Sequence, residues 1–369
     1  MKDTIFVPAF GNRPRNLVGR EEILQIFESN LQSTPGSRER ATLILGQRGS
    51  GKTVLLLELA EMAQKQGMVV SSPTVVSKEM PKRILEKLTA AGGIYLEKEK
   101  PKMTGGTISA FGFGGGVEIT PNDQPEKSFA SRLIDVCKAI NRHGKAVLIL
   151  IDEAQANTEE LRQLIVAYQE MVGADMNVFI ALAGLPMTIS SVLNDHVLTF
   201  LNRAQKIHLP PLRINDVEVY YRNMFSQLAI SITDEMVTSA ARETNGSPYL
   251  MQLIGHYITI SSGPDGMISA DRFTNAIAKA KEDFINDICQ TTLAPLSEQD
   301  VAFLASMARD ARESKVADIA TRLNCTSAYV QTYKRRLIHA GVIEQRRRGE
   351  VSFAVPYLKE YLMQTFEDM

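Results

Sequence analysis

Residues Gly46 to Thr53 read GQRGSGKT and fill the pattern G-x-x-x-x-G-K-[ST], with an additional glycine at Gly49. Each position suits a nucleoside triphosphate. Gly46, Gly49 and Gly51 let the backbone turn, so that successive N–H groups, including those of Gln47, Arg48 and Ser50, converge on phosphate oxygens. Lys52 is placed to reach the β- and γ-phosphates, and the Thr53 hydroxyl to ligate Mg²⁺. A second chemical pair follows about a hundred residues on. Ala146 to Ile151 is an apolar run closed by Asp152-Glu153. Two acids at the C-terminal edge of a buried strand stand where open α/β sheets bind ligands. Asp152 would hold the Mg²⁺–water shell, and Glu153 would orient and deprotonate an attacking water. ATP and Mg²⁺ are the cofactors this pattern calls for.

The loop needs a strand before it and a helix after it. Ala41 to Leu45 is a short apolar run, and Thr53 to Gln66 carries apolar residues at helical spacing, with Gly67 as its stop. Strand, glycine loop and helix N-terminus together make an anion site from orphan N–H groups and the helix dipole. The alternation continues. Strands are expected at 41–45, 68–75, 146–151, 177–183 and 205–209, and helices at 53–66, 80–91, 128–142, 158–172 and 187–194. That order predicts an α/β fold with a parallel sheet covered on both faces. After Pro210-Pro211 only helices are expected, at 214–229, 233–244, 248–262 and 270–290. A small unit with a β-hairpin follows Leu293. The expected divisions are therefore 1–210, 211–292 and 293–369. Gly105 to Gly116, GGTISAFGFGGG, breaks the alternation; it reads as a decorated surface loop, or alternatively as a contact element for DNA or a partner.

Composition excludes more than it names. The chain has 369 residues, is 44% apolar and 22% charged, and carries a net charge of −1. Only a local patch could meet nucleic acid or an anionic membrane. The three cysteines, Cys137, Cys289 and Cys325, contain no CxxC pair, which argues against disulfides and zinc and for a reducing, cytoplasmic setting. The apolar run at 146–151 is far too short to span a bilayer, so no membrane partner is expected.

Such a patch lies near the end. Val316 to Leu323 reads as a helix, Asn324 to Ser327 as a turn with an N-cap, and Ala328 to Ala340 as a second helix stopped by Gly341. A hairpin with Arg346-Arg347-Arg348-Gly349 at its tip follows. The order is that of a winged helix-turn-helix. Val330 and Leu337 would pack inward with Tyr333 or Ile338, leaving Ser327, Gln331, Lys334 and Arg335 facing out. Six basic residues fall between Lys334 and Arg348 against one acid, Glu344, although residues 296–369 hold 11 basic and 10 acidic side chains. This placement favours double-stranded DNA, with the helix in the major groove and the arginines of the tip on phosphates. Protein docking is the alternative.

Taken together, these motifs resemble the AAA+ ATPases, in the branch that holds the origin-recognition initiators and borders on the STAND signalling ATPases. The resemblance spans roughly residues 15 to 362. It implies a helical lid and C-terminal winged helix beside the P-loop sheet. It also implies that Val18-Gly19-Arg20 packs near the adenine, that Pro248 of Gly246-Ser247-Pro248 touches the base, and that Arg203 reaches a neighbouring subunit's site, which requires a homo-oligomer. Two positions depart from the family. The polar sensor ending the fourth strand is Gly184 here, and the lid arginine is Tyr249. Both losses remove side chains that detect the γ-phosphate, so a slow, switch-like ATPase is expected. A STAND-like signalling or defence ATPase is the second reading.

Overall fold

The computed structural model describes residues 5–8, 17–96, 127–155, 158–196 and 198–366, with the backbone alone for Met187, Arg346 and Phe366. The glycine-rich segment at 105–116 lies outside the described residues. The P-loop layer begins with α1 (Glu21–Asn30) and β1 (Ala41–Leu45). It continues through α2 (Lys52–Lys65), β2 (Val69–Val75), α3 (Met80–Gly92), α4 (Phe129–Arg142) and β3 (Val147–Asp152). It closes with α5 (Glu159–Gly173), β4 (Val178–Gly184), α6 (Pro186–Leu193) and β5 (Gln205–His208). The strands form one parallel sheet in the order β2-β3-β4-β1-β5. Every residue of β1, β3 and β4 is buried. Leu43 and Leu45 point into one core, with Ile149, Ile151 and Leu182. Ile44 points into another, with Leu148, Leu150 and Ala181. A sheet coated on both faces needs continuous apolar strands, which is why these strands carry no polar alternation.

A helical bundle follows: α7 (Ile214–Gln227), α8 (Asp234–Glu243), α9 (Pro248–Ser261) and α10 (Ala270–Phe284). The helix expected to end at 290 instead runs on through a π-helical stretch, Ile285–Gln290, into α11 (Thr291–Leu293). The Thr291 hydroxyl donates to the Asp287 carbonyl there. The N-terminal strap enters this bundle. The Phe6 ring sits 5.4–6.0 Å from those of Tyr220, Tyr221 and Phe225, and the Val7 N–H donates to Gln252 Oε1 at 3.1 Å.

The C-terminal unit holds α12 (Glu298–Ala308), β6 (Ser314–Lys315), α13 (Val316–Arg322), α14 (Ser327–His339), β7 (Ile343–Arg347), β8 (Glu350–Phe353) and α15 (Leu358–Phe366). Its strands make an antiparallel sheet, β6-β8-β7. One buried cluster runs without a break from Ile5 and Phe6 through the bundle to Leu362, so the bundle and the C-terminal unit share a core. Tyr357 joins them: its hydroxyl donates to the Glu243 carboxylate at 2.6 Å, and Glu243 in turn pairs with Lys281 at 2.5 Å.

One expected outward side chain is turned in. Lys334 is only 9% exposed and shares the buried face of α14 with Val330 and Leu337. Spacings of four and three residues put all three on one stripe, and four methylenes let the lysine fill it. Burial lowers the Lys334 pKa. Lys334 is therefore removed from the set facing solvent.

Candidate nucleotide site

The glycine loop leaves β1 at the C-terminal edge of the sheet and enters α2. The register sets Leu45 beside Gly184 of β4, and the Gly46 N–H donates to the Gly184 carbonyl at 3.2 Å. Gly49 and Gly51 take left-handed φ values of 73° and 87°, and Gly51 is the N-cap of α2. At that cap a side-chain β-carbon would be strained, and the N–H groups of the first turn have no intrahelical acceptor.

Lys52 is folded onto this loop. Its Nζ donates to the carbonyls of Gly46 and Gln47 at 3.0 and 2.9 Å. Burial lowers its pKa, and the neighbouring Asp152 and Glu153 oppose that shift. The Thr53 hydroxyl donates to Asp152 Oδ2 at 2.6 Å across 99 positions of sequence. Asp152 is buried, and its second oxygen accepts the Glu153 N–H at 2.9 Å. Glu153 itself is exposed at φ 50°, a conformation uncommon for a residue with a β-carbon and one that clusters at functional sites. The site thus joins Lys52, Thr53, Asp152 and Glu153, four of the five residues expected to do chemistry, Arg203 being the fifth.

The donor set fits Mg²⁺ and a triphosphate. A hydroxyl and a carboxylate oxygen in contact are hard ligands, and a Mg²⁺ site of this kind takes its remaining oxygens from phosphates and water. Among the described residues no cluster of three or more His, Cys, Asp or Glu side chains could hold a metal alone. Two buried side-chain oxygens at the loop, Gln47 Oε1 and Ser50 Oγ, lack partners. Backbone N–H groups, the Lys52 ammonium and the α2 N-terminus all favour an anion.

The helical bundle closes the rim. A β-carbon built on Gly51 would lie 3.9 Å from Pro248, and one on Gly49 would lie 3.7 Å from Tyr249. Ser247 caps α9 by accepting the Leu250 N–H, and Pro248 opens the helix. On the opposite side the Arg20 guanidinium donates to the Pro210 carbonyl at 2.7 Å, and Gly19 abuts Leu212 and Asp216. Val18 packs on the bundle core. Arg48 is exposed. Val18, Gly19, Arg20 and Pro248 therefore stand where the sheet layer and the bundle meet. Arg203 stands exposed on the turn before the edge strand β5, apart from the cluster.

The two departures have structural reasons. At Gly184 an added β-carbon would meet Ile189 at 3.1 Å and the Ala154 carbonyl at 3.2 Å, so a polar sensor has no room. Gly184→Asn is expected to destabilise the fold by about 1–3 kcal/mol through overpacking, read as a thermal midpoint lowered by several degrees. A midpoint equal to that of the wild type would contradict the crowding. Tyr249 donates its hydroxyl to Asp287 Oδ2 at 2.5 Å. Burial, with the hydrogen-bonded Asp287 carboxylate, pushes its pKa far up. It is a neutral donor committed to Asp287. The sequence reading missed the Asp287 contact because no local pattern signals it.

The basic face is partly assembled. Ser327, Gln331 and Arg335 are exposed on α14, and Arg347 and Arg348 at the hairpin tip. The side chain of Arg346 lies outside the described residues. The Tyr329 and Tyr333 rings approach to 4.6 Å, and the Arg336 guanidinium lies 5.4 Å from the Tyr333 centroid. Arg336 is also spent on Asp300 at 2.6 Å.

Comparison with known proteins supports this reading of the fold. Residues 16–181 match the family described as AAA ATPase domain, and residues 286–362 match a domain of unknown function. No curated protein sequence matches the chain. Solved structures with a similar fold include the Aeropyrum pernix ORC2 protein, at TM-score 0.66 and 14% identity over 98% of this chain and 96% of that one. A Walker-type ATPase of Pyrococcus abyssi gives 0.64 and 16% over 95% and 97%. The Cdc6p of Pyrobaculum aerophilum gives 0.52 and 14% over 97% of each. At these identities the likeness is one of fold. The fold is that of an AAA+ P-loop ATPase, a five-stranded parallel sheet with a helical C-terminal region. Among the described residues no helix is long and apolar enough to cross a membrane.

Proposed function

We propose that this AAA-type chain is an ATP-dependent switch that hydrolyses ATP slowly and holds double-stranded DNA through a C-terminal winged helix. The observation that carries the nucleotide half is the Thr53–Asp152 contact beside Lys52. Lys52 would hold the β- and γ-phosphates, Thr53 and Asp152 would hold Mg²⁺, and Glu153 would take the proton of the attacking water. The packed-out sensor at Gly184 and the neutral Tyr249 support occupancy over rapid turnover. Arg203, exposed at the sheet edge, would complete a neighbour's site in a homo-oligomer.

The DNA half rests on Gln331 and Arg335 exposed on α14 with Arg347 and Arg348 at the adjoining tip. Changing Arg346, Arg347 and Arg348 together to alanine is expected to weaken duplex binding by about tenfold or more and to flatten its salt dependence by about three counterions. Titration of a labelled duplex at several salt concentrations, with and without ATP, measures both. Salt-insensitive binding, or equal binding by the variant, would overturn the DNA reading. A STAND-like signalling ATPase, whose C-terminal unit docks protein, is the second reading. The inward turn of Lys334 and the packing of α14 against the P-loop layer favour it.

A further inference from the structure

The end of α14 does more than carry basic residues: it touches the nucleotide loop. Gly341 closes this helix in a Schellman turn. Its N–H donates to the Ile338 carbonyl at 3.0 Å, the Val342 N–H donates to Leu337 at 3.0 Å, and its φ is 68°. The helix stop would need a glycine anywhere. Here the glycine is also pressed on another layer, 294 positions away in sequence. A β-carbon on Gly341 would collide with Gln47 Oε1 and lie 3.3 Å from Leu185 Cδ2. Two residues back, His339 Nδ1 pairs with Ser191 Oγ of α6 at 3.4 Å. So the C-terminal unit rests on the second residue of the glycine loop and on the residue that follows Gly184.

Gln47 links this contact to the phosphates. Its carbonyl accepts Lys52 Nζ at 2.9 Å, while its side-chain oxygen is buried beneath Gly341 with no donor. A buried carbonyl oxygen without a partner is a destabilised arrangement, held here by packing. A triphosphate would draw Lys52 away from the Gln47 carbonyl and recruit the loop's N–H groups. The Gln47 carbonyl would keep only the Ser50 N–H, which donates to it at 3.2 Å, in place of two donors, and its side chain would leave Gly341.

We propose that Gln47 is a positioning residue through which the C-terminal unit and the triphosphate exclude one another: the unit docks on the empty loop, and ATP releases it. This rests on the nucleotide reading above and assigns that site a regulator within the chain. The coupling is reciprocal by linkage. Whatever undocks the unit must tighten ATP binding, which a merely structural contact would not do.

Amide hydrogen exchange over residues 336–342 reads docking, and equilibrium binding of Mg²⁺–ATP reads the site. In the wild type, saturating ATP is expected to raise exchange over 336–342. Gly341→Ala, and the milder Ser191→Ala should the first fold poorly, are expected to show that exchange without ATP and to bind ATP about fivefold or more tightly. Unchanged exchange in a wild type that binds ATP, or variants that bind ATP equally or more weakly, overturns the proposal. Failure of the wild type to bind ATP above the level of Lys52→Ala is a different result: it overturns the nucleotide reading and this proposal with it.

Discussion

Lys52→Ala is expected to remove measurable ATP binding while leaving the fold intact. Lys52 Nζ holds two loop carbonyls, at Gly46 and Gln47, and stands beside Asp152 and Glu153. On an incoming triphosphate it would trade those neutral acceptors for charged phosphate oxygens. Hydrogen bonds to charged groups contribute about 1.5–3 kcal/mol each, so two of them correspond to a loss on the order of a hundredfold to ten-thousandfold in affinity. The fold does not depend on these bonds, because the sheet is stapled from both faces by Leu43 and Ile44 and their partners. Isothermal titration with Mg²⁺–ATP reads the affinity, and a melting curve reads the fold. Wild-type affinity in the variant would mean that the glycine loop cradles no phosphate.

Much of this fold was open to a reader of the sequence for one physical reason. A parallel sheet buried on both faces demands uninterrupted apolar strands, and Ala41–Leu45, Val147–Asp152 and Val178–Gly184 have that form. The site was legible because a phosphate loop and a metal-holding carboxylate constrain residue type at fixed places: Lys52, Thr53 and Asp152 stood out before their contact was known. Lys334 departs from expectation because a charged side chain need not be exposed, and its spacing with Val330 and Leu337 puts it on the inward stripe. The π-helical stretch at Ile285–Gln290 leaves no mark in an apolar pattern. The meeting of Gln47 with Gly341 could not be read at all. It depends on how the C-terminal unit rests on the P-loop layer, and a glycine at a helix stop explains itself locally.

The companion prediction concerns chemistry in place of binding. Glu153→Gln is expected to hold ATP within about twofold of wild type and to lower single-turnover hydrolysis by about a hundredfold to ten-thousandfold, the range general-base catalysis supplies. Glutamine keeps the size and hydrogen-bonding reach of the side chain but cannot accept the proton of water. The backbone argues for the role. Glu153 is held at φ 50°, anchored by its N–H on Asp152 Oδ1 at 2.9 Å, and its side chain is exposed at the strand's end. A residue kept in that conformation beside the carboxylate proposed to hold Mg²⁺ stands at the same strand end that would position the ion. The wild type itself should turn over slowly, since Gly184 has no room for a sensor and Tyr249 is neutral and bound to Asp287. Rapid quench with excess protein separates the chemical step from product release. Equal rates in wild type and Glu153→Gln would reassign the base to another group. A fast wild type would show that the two missing sensors do not limit the chemistry, and the ATP-bound form would then be too short-lived to serve as the stable state of a switch.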